Sequence, residues 1–570
     1  MATAAPGDRD RDLISAQQAR TLARRAKDAA PRLAELSQDQ IDAIVDAAAA
    51  AATAQAEPFA RMAHEDTGYG VVADKIQKNL FASDKVYRFI RPMKTVGIVA
   101  RHEDRKVIEI AEPFGVVAAI VPSTNPTSTA IYKILIALKA RCPIVISPHP
   151  SAARSITRVA EVMCEAACRA GLPDGAINWM TTVTLEGTQE LMKARETAVI
   201  LATGGMGLVR AAYSAGKPAY GVGPGNAPCF IERSANVPKA VADIITGKTF
   251  DNGVLCSSPN SVVMDEPIAE EAKREFRARG GYFLSPAEAD QLAKALVTPQ
   301  RLPNPKMVGK PATVVAELAG LKVPEGTRVL IAELTGVGRD FPLSIEKLCP
   351  VLSSYVVRDW QEGCERSMQI LRYGGMGHTM SIHSENEKII LEFGLKKPAF
   401  RISVNTPSTF GSIGLTTGLD PAMTLGCGGW GGNITSDNIT PRHLLNIKRL
   451  AWETHPVNAS RTGALPKAPA KTAAPGISAA ALSSRIDAFL ASRGISAPAS
   501  PAGPAEPARP AEPAGPAQPA KAAEFVAEAD VREAIAQKRT IVIGEKTIVT
   551  PAARDLGEAE KVFVQAGWRG

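Results

Sequence analysis

Residues 115–147 read GVVAAIVPSTNPTSTAIYKILIALKARCPIVIS, and this stretch decides the fold. GVVAAIV (115–121) is a short run apolar on both faces, as a strand covered on both sides requires. The Pro-rich loop PSTNPT follows and leads into the helical pattern STAIYKILIALKA. A second apolar strand, PIVIS, begins at residue 143. Strand, loop, helix and strand together form a βαβ unit, which implies a parallel pair joined by a crossover.

Working outward, the pattern repeats. The helix SAARSITRVAEVMCEAACRA stops at Gly171, and LPDG supplies turn chemistry. Strand AINWM, a helix near 185–194, strand TAVILAT and a helix opened by GGMG continue the series. A doubly wound parallel sheet is expected, with ligands at the carboxyl ends of its strands. Upstream, residues 10–92 read as Ala-rich helices covering that sheet. Downstream, the helix VPKAVADIITGKTF leads to a second α/β region. It has strands at SVVMDE, SSYVV, HTMSIH and FRISVNT and closes on the Gly-rich LGCGGWGGN.

Past residue 460 the chain changes character. RTGALPKAPAKTAAPG is a linker by composition. ISAAALSSRIDAFLASRG follows, placing Ile477, Leu482, Ile486, Phe489 and Leu490 roughly on one helical face. From Pro498 to Pro519 every third residue is proline, which puts one edge of a polyproline II rod in proline. The last stretch reads as helix, hairpin, turn and helix, too short for much core.

The totals set limits. The 570 residues are 45% hydrophobic and 22% charged, with mean hydropathy near zero, a balance for large buried cores. The formal charge is +8, without a dense basic run or an aromatic-studded basic stripe, so nucleic acid is not expected as a partner. Eight cysteines fall into no CxxC or finger pattern, so no metal site or disulfide scaffold is expected and a reducing cytoplasm is the default. The N-terminus lacks the apolar core of a secretory signal, and no run is long enough to span a membrane.

Chemistry concentrates in a few loops. TFDNGVLCSS (249–258) holds Cys256 just past a helix end and an Asn-Gly pair. A free cysteine is most often a small buried hydrophobe. This one sits in a polar loop between rigid elements, where a thiolate could attack a carbonyl. In the loop after residue 121, Asn125 is either a capping side chain or a donor to a developing oxyanion. LATGGMG (201–207) joins a strand to a helix whose N-terminus could meet a pyrophosphate. GVGPGN (221–226) lacks the strand–loop–helix context of a dinucleotide fingerprint and reads as irregular backbone.

Taken in order, VPSTNPTS, ISPHPSA, GLPDGAINW, LATGG, GVGPGN, TFDNGVLCSS, EKLCPVLSSY, GHTMSIH and RISVNTPSTFGSIG resemble the aldehyde dehydrogenase superfamily, and within it the CoA-acylating members. The resemblance covers about residues 15–455. It implies an α/β fold of two doubly wound domains, cofactor-binding and catalytic, followed by a disordered Pro-rich extension. The expected segments are 1–248, N-terminal helices and dinucleotide-binding domain, and 249–432, catalytic cysteine domain. Residues 433–460 would return to the first domain or form an oligomerisation arm. Then follow a linker at 461–476, an amphipathic helix at 477–494, a Pro/Ala-rich linker at 495–521 and a small segment at 522–570.

By the same resemblance Cys256 is the nucleophile and Asn125 the oxyanion-hole amide. Pro122, Thr203, Gly204, Gly205, Gly223, Pro224 and Gly225 fall with the cofactor, and Glu346 matches the glutamate that holds the nicotinamide ribose. Ser147, Pro148 and His149 stand where hydrolytic members carry a Lys-Pro pair beside the adenosine ribose. Thr409 and Phe410 are expected at the substrate end. Implied cofactors are NAD and coenzyme A, and the substrate a short aldehyde such as propionaldehyde or acetaldehyde.

Hydrolytic members activate water with a glutamate upstream of the cysteine. From Thr197 to Ile231 this sequence has no Asp or Glu. Without a base, water is a poor acceptor for a thioester, whereas a CoA thiolate is a better nucleophile. The alternatives are a hydrolytic aldehyde dehydrogenase and a catalytically silent, shell-organising scaffold. The amphipathic helix on its linker resembles the encapsulation peptides of bacterial microcompartment enzymes. That implies shell or core proteins as partners and a place within a microcompartment, and the family implies a dimer or tetramer.

Overall fold

The computed structural model describes residues 6–455, 479–492, 523, 525–544 and 547–565. The chain divides into two units, Met1–Thr462 and Gly463–Gly570.

The first unit opens with the helices Pro6–Ala34, Gln38–Ala54, Ala56–Thr67 and Val72–Leu80, which runs on through a π turn at Phe81–Lys85 into Val86–Ile90. Gln38–Ala54 begins at a capping box, with Ser37 and Gln40 satisfying each other's backbone N–H groups. Its buried face, Ile41, Ile44, Val45, Ala48 and Ala52, packs against the helices Pro126–Lys139 and Ala153–Arg169.

That sheet is fully parallel. In spatial order its strands are Ile177–Trp179, Ile144–Pro148, Val116–Val121, Thr197–Thr203 and Ala219–Val222. Ile120 lies opposite Ser147 on one side and Ala202 on the other. The chain winds outward from Val116–Val121 in one direction, then returns and winds in the other. The crevice at the switch therefore opens between the ends of Val116–Val121 and Thr197–Thr203. The crossover helix Pro126–Lys139 is buried along all 14 residues. Pro126 at its first position costs no hydrogen bond, because that N–H has no helical partner. Lys133, inside this helix, donates to the Ile120 carbonyl at 2.7 Å and the Leu201 carbonyl at 2.9 Å. One buried ammonium thus ties together the two strand ends that frame the crevice.

The second sheet has seven parallel strands: Gly281–Phe283, Val329–Glu333, Val351–Val357, Pro259–Asp265, Ala227–Ile231, Gly377–His383 and Ala399–Val404, in spatial order. Ala227–Ile231 belongs here, so the chain changes sheet at residues 223–226, upstream of residue 249 where the sequence reading divides the domains. GVGPGN is thus the short crossing between sheets. Leu445–Ala451 pairs antiparallel with Val107–Pro113, which pairs with Gly97–His102, giving a separate three-stranded sheet.

In the second unit, every described side chain of the helix Ala479–Ser492 is solvent-exposed. The expected linkers at 461–476 and 495–521, Ile477, and the side chain of Leu490 lie outside the described residues. The terminal segment corrects the expected hairpin. Ile541–Ile543 pairs in parallel with Phe563–Gln565, and Phe525–Val526 pairs in parallel with Ile548–Val549. Parallel pairing needs a crossover, and the helices Glu528–Ala536 and Pro551–Ala559 provide two. Val526, Val531, Ala534, Ile541, Ala553 and Val562 form its small core. Among the described residues, no helix is long and apolar enough to cross a membrane.

Candidate active site

The helix Val237–Thr249 stops in a tight turn, Phe250–Gly253, in which Asp251 and Asn252 both take positive φ, 49° and 53°. Side chains rarely adopt this conformation without outside support. Here the support is explicit. The Asp251 carboxylate accepts from the Val71 N–H at 2.7 Å and from Lys75 at 3.1 Å, and it also pairs with Lys78. The Asn252 amide donates to the Gly309 carbonyl at 2.9 Å. The turn aims the chain so that Cys256 lies before the strand Pro259–Asp265, partly exposed. Ser257 and Ser258 are buried, and Ser408 Oγ donates to the Ser257 carbonyl at 2.8 Å.

The surroundings of Cys256 are polar and mixed in sign. Burial, Glu346 and Cys427 push its thiol up to about 12, and Arg401 works against them. At neutral pH the sulfur therefore rests as the thiol, and its proton must leave before it can attack. Gly225 passes close by. A Cβ built there would lie 1.7 Å from the Cys256 carbonyl oxygen, so this position tolerates no side chain. The Gly225 N–H donates to Glu346 Oε1 at 2.8 Å. Burial raises the Glu346 carboxyl, while the Gly225 N–H and Lys248 oppose that rise. The window from 197 to 231 is indeed free of acids, yet Glu346 enters from a distant segment and acts on the thiol.

Sequence reasoning missed the scaffold behind that glutamate. Asn226 and Asn260 are buried and hydrogen-bonded to each other. Asn226 donates to Ser344 O at 3.1 Å and Asn260 to Ile345 O at 2.7 Å, pinning the segment that carries Glu346. It also missed His378 and Arg401. The His378 ring lies against Gly225, and burial and then Arg401 lower it to about 3, so it is neutral. Its Nδ1 meets the Thr379 hydroxyl at 2.9 Å, and its Nε2 is buried without a partner among the described residues. Arg401 is buried and donates to carbonyls of His378, Gly377, Gly426 and Ser436. A histidine in the motif GHT was the available signal.

Asn125 sits at the N-terminus of the buried crossover helix and does not cap it. Its Oδ1 accepts from Lys78 at 2.7 Å, and its amide nitrogen meets Thr124 Oγ1 at 3.2 Å. Lys78 also pairs with Asp251, so one ammonium touches both the Asn125 loop and the turn before Cys256.

Pro122 is buried at the mouth of the switch-point crevice. Thr203 ends its strand with a buried hydroxyl that has no partner among the described residues. The Gly204 N–H is bonded to Val222 O at 3.2 Å. A Cβ on Gly205 would meet nothing within 4 Å, and the helix Met206–Tyr213 begins beside it. An open backbone cradle, an orphan hydroxyl and a helix N-terminus fit a dinucleotide pyrophosphate. A Cβ on Gly223 would meet Met206 Sδ at 2.9 Å, and Pro224 completes the crossing. On the neighbouring strand, Ser147 is buried and shares a hydrogen bond with Thr188 at 2.8 Å, and Pro148 is buried. His149 is exposed at the rim, its ring turned to Ser151. Of the three, His149 alone faces outward.

Thr409 is buried, and its hydroxyl donates to Gly247 O at 2.7 Å. It braces the wall behind Cys256 and presents no free group. Phe410 stands edge-on to Phe250 at 4.9 Å, in a small apolar cluster with Val254, Leu255 and Val308.

Residues 11–281 match the model of the aldehyde dehydrogenase family. The chain is 42% identical over 435 residues to the bifunctional aldehyde-alcohol dehydrogenase AdhE of Escherichia coli, an alignment covering 75% of this chain and 49% of that protein. The chain therefore spans about half the length of such relatives. It resembles the crystal structure of an acetylating aldehyde dehydrogenase from Geobacillus thermoglucosidasius at 50% identity and a TM-score of 0.77, covering 78% of this chain and 98% of that one. It also resembles a propionaldehyde dehydrogenase from the fucose utilisation bacterial microcompartment of Clostridium phytofermentans, at 28% identity and a TM-score of 0.69, covering 75% and 96%. The chain belongs to the aldehyde dehydrogenase family, in its CoA-acylating branch.

Proposed function

We propose that this protein oxidises a short-chain aldehyde, propionaldehyde or acetaldehyde, to its acyl-CoA through a thioester on Cys256. Supporting this reading is the joining of the Asn125 loop to the Cys256 turn at the switch-point crevice, by way of Lys78 and Asp251.

Cys256 gives up its proton to solvent and its sulfur adds to the aldehyde carbon. The Asn125 amide N–H stabilises the oxygen as it becomes negative, and the Cys256 backbone N–H is the second donor. Collapse of that adduct sheds a hydride, leaving the acyl group on Cys256. Pro122, Thr203, Gly204 and Gly205, with Gly223, Pro224 and Gly225, would hold NAD+ and Glu346 its ribose, and the cofactor would supply the hydride acceptor. Ser147, Pro148 and His149 line the adenosine side. The acyl group then leaves Cys256 for the thiol of CoA, and Cys256 recovers a proton. Phe410 lines the aldehyde end, with Thr409 behind it.

Glu346 favours a second reading, because it places a carboxylate near the thiol that could activate water for hydrolysis. The test is NADH formation from propionaldehyde with and without CoA. Strict CoA dependence supports acylation, and equal turnover to propionate without CoA supports hydrolysis.

The helix Ala479–Ser492 is read as an encapsulation peptide, with Leu482, Ile486 and Phe489 exposed along it. Its partner would be a shell or core protein of a bacterial microcompartment, with the catalytic unit a homo-oligomer. A protein lacking residues 470–570 should keep its turnover in dilute solution and lose co-purification with shell protein. Retained co-purification would rule this role out.

A further inference from the structure

Lys75, Lys78, Asp74 and Asp251 form a charged cluster that the chemistry above does not use. Lys75 and Lys78 are carried by the helix Val72–Leu80, which belongs to neither parallel sheet. Lys75, Lys78 and Asp251 are almost wholly buried, at 2%, 3% and 0% exposure. Such burial is unfavourable for each charge unless the groups are paired and hydrogen-bonded. The pairing is tight. Asp251 accepts from both lysines and from the Val71 N–H, and its own N–H donates to Asp74 at 2.7 Å. A Cβ on Gly70 would strike the Asp251 carboxylate, so Gly70 (φ 71°) makes room for it.

The two lysines differ in one respect. Lys75 meets Asp251, whereas Lys78 meets Asp251 and also donates to Asn125 Oδ1 at 2.7 Å. An asparagine amide can be turned over, exchanging its oxygen and nitrogen, at little steric cost. An ammonium can only donate, so it fixes the oxygen of Asn125 on its own side. The amide nitrogen gives one hydrogen to Thr124 Oγ1 and keeps the other for the reaction.

We infer that Lys78 is the positioning residue of the oxyanion hole: anchored by Asp251, it locks the Asn125 amide with its donor end toward the substrate oxygen and holds that amide in register with the Cys256 turn. This rests on the reading of Asn125 as the oxyanion donor. Lys78 moves no proton and touches no substrate. It acts through Asn125, and Asp251 makes the same ammonium an anchor for the nucleophile's loop.

The experiment compares Lys78→Met, Lys75→Met, Asn125→Ala and the double variant Lys78→Met/Asn125→Ala in the full-length protein. It measures kcat and KM for propionaldehyde, thermal midpoint, and the rate of Cys256 alkylation by iodoacetamide, which needs no oxyanion hole. Loss of one oxyanion donor costs about 100-fold or more in kcat. Lys78→Met should approach that loss with KM changed less than about threefold. Lys75→Met, which removes a comparable ion pair, should cost at least tenfold less. In the Asn125→Ala background, Lys78→Met should add less than about threefold, because the amide it orients is gone. Alkylation should stay within about threefold of the parent. Multiplicative losses in the double variant, or equal losses from the two lysine variants, would overturn the role of Lys78. If Asn125→Ala itself retains full kcat, the oxyanion reading fails and takes the inference with it; a slow Asn125→Ala beside a fast Lys78→Met rejects the inference alone. Should Lys78→Met not fold, Lys78→Arg against Lys75→Arg decides: at least tenfold greater loss at residue 78 supports the role, and equal losses refute it.

Discussion

Two helices of 14 residues stand at opposite extremes. Pro126–Lys139 is buried at every position, and Ala479–Ser492 is exposed at every described side chain. Both carry large apolar residues. The first packs Ile131, Ile134, Leu135, Ile136 and Leu138 on all sides between a sheet and the N-terminal helices. The second leaves Leu482 and Ile486 about half exposed. The first helix carries Asn125 at its head and reaches the strand ends through Lys133. The exposed apolar side chains of the second suit the docking role proposed for it.

A substitution at the head of the buried helix should cost most. Asn125→Ala should lower kcat about 100-fold or more in an NADH assay, whereas removal of residues 470–570 should leave it within about twofold. Within the buried helix, Leu135→Ala should destabilise by about 2–5 kcal/mol in urea unfolding. Leu482→Ala should change stability by less than about 0.5 kcal/mol. A Leu482→Ala protein as destabilised as Leu135→Ala would mean that the second helix packs after all.

Lys133 sharpens the contrast through pH. Burial lowers its ammonium to about 7, from an ordinary value of 10.5. Below pH 7 it is charged in both folded and unfolded chains. Between 7 and 10.5 the unfolded chain binds the extra proton, so its contribution to stability grows with pH and is lost as pH falls through 7. Relative to the parent, Lys133→Met should flatten the stability–pH curve in that window by at most about 1.4 kcal/mol per pH unit. An unchanged slope would mean the ammonium stays charged where it sits. At Cys256 the shift runs upward instead. With the thiol pushed up to about 12, alkylation of the free protein should rise about tenfold per pH unit from pH 7 to 9, without a plateau.

The first sheet was legible because each of its strands is buried on both faces and each crossover is short. The change of sheet at 223–226 was not. Ala227–Ile231 is as apolar as the strand before it, and nothing local says which sheet receives it. The terminal hairpin was misread for the same reason, since two apolar runs close in sequence do not show whether they pair with each other or across helices. Cys256 and Asn125 stood out through their loops and motifs. Lys78 and Asp251, 173 residues apart in the chain, met only on folding. His378 and Arg401 sit on strands among buried residues, where polar function has no periodic signature.

In the proposed function, Cys256 carries the acyl group and passes it to CoA. Mixing the protein with NAD+ and propionaldehyde, without CoA, and mapping peptides by mass spectrometry tests it directly. A propionyl group on the Cys256 peptide, released as propionyl-CoA when CoA is added, is the predicted result. Free propionate accumulating without CoA, with no adduct that CoA can discharge, would contradict it.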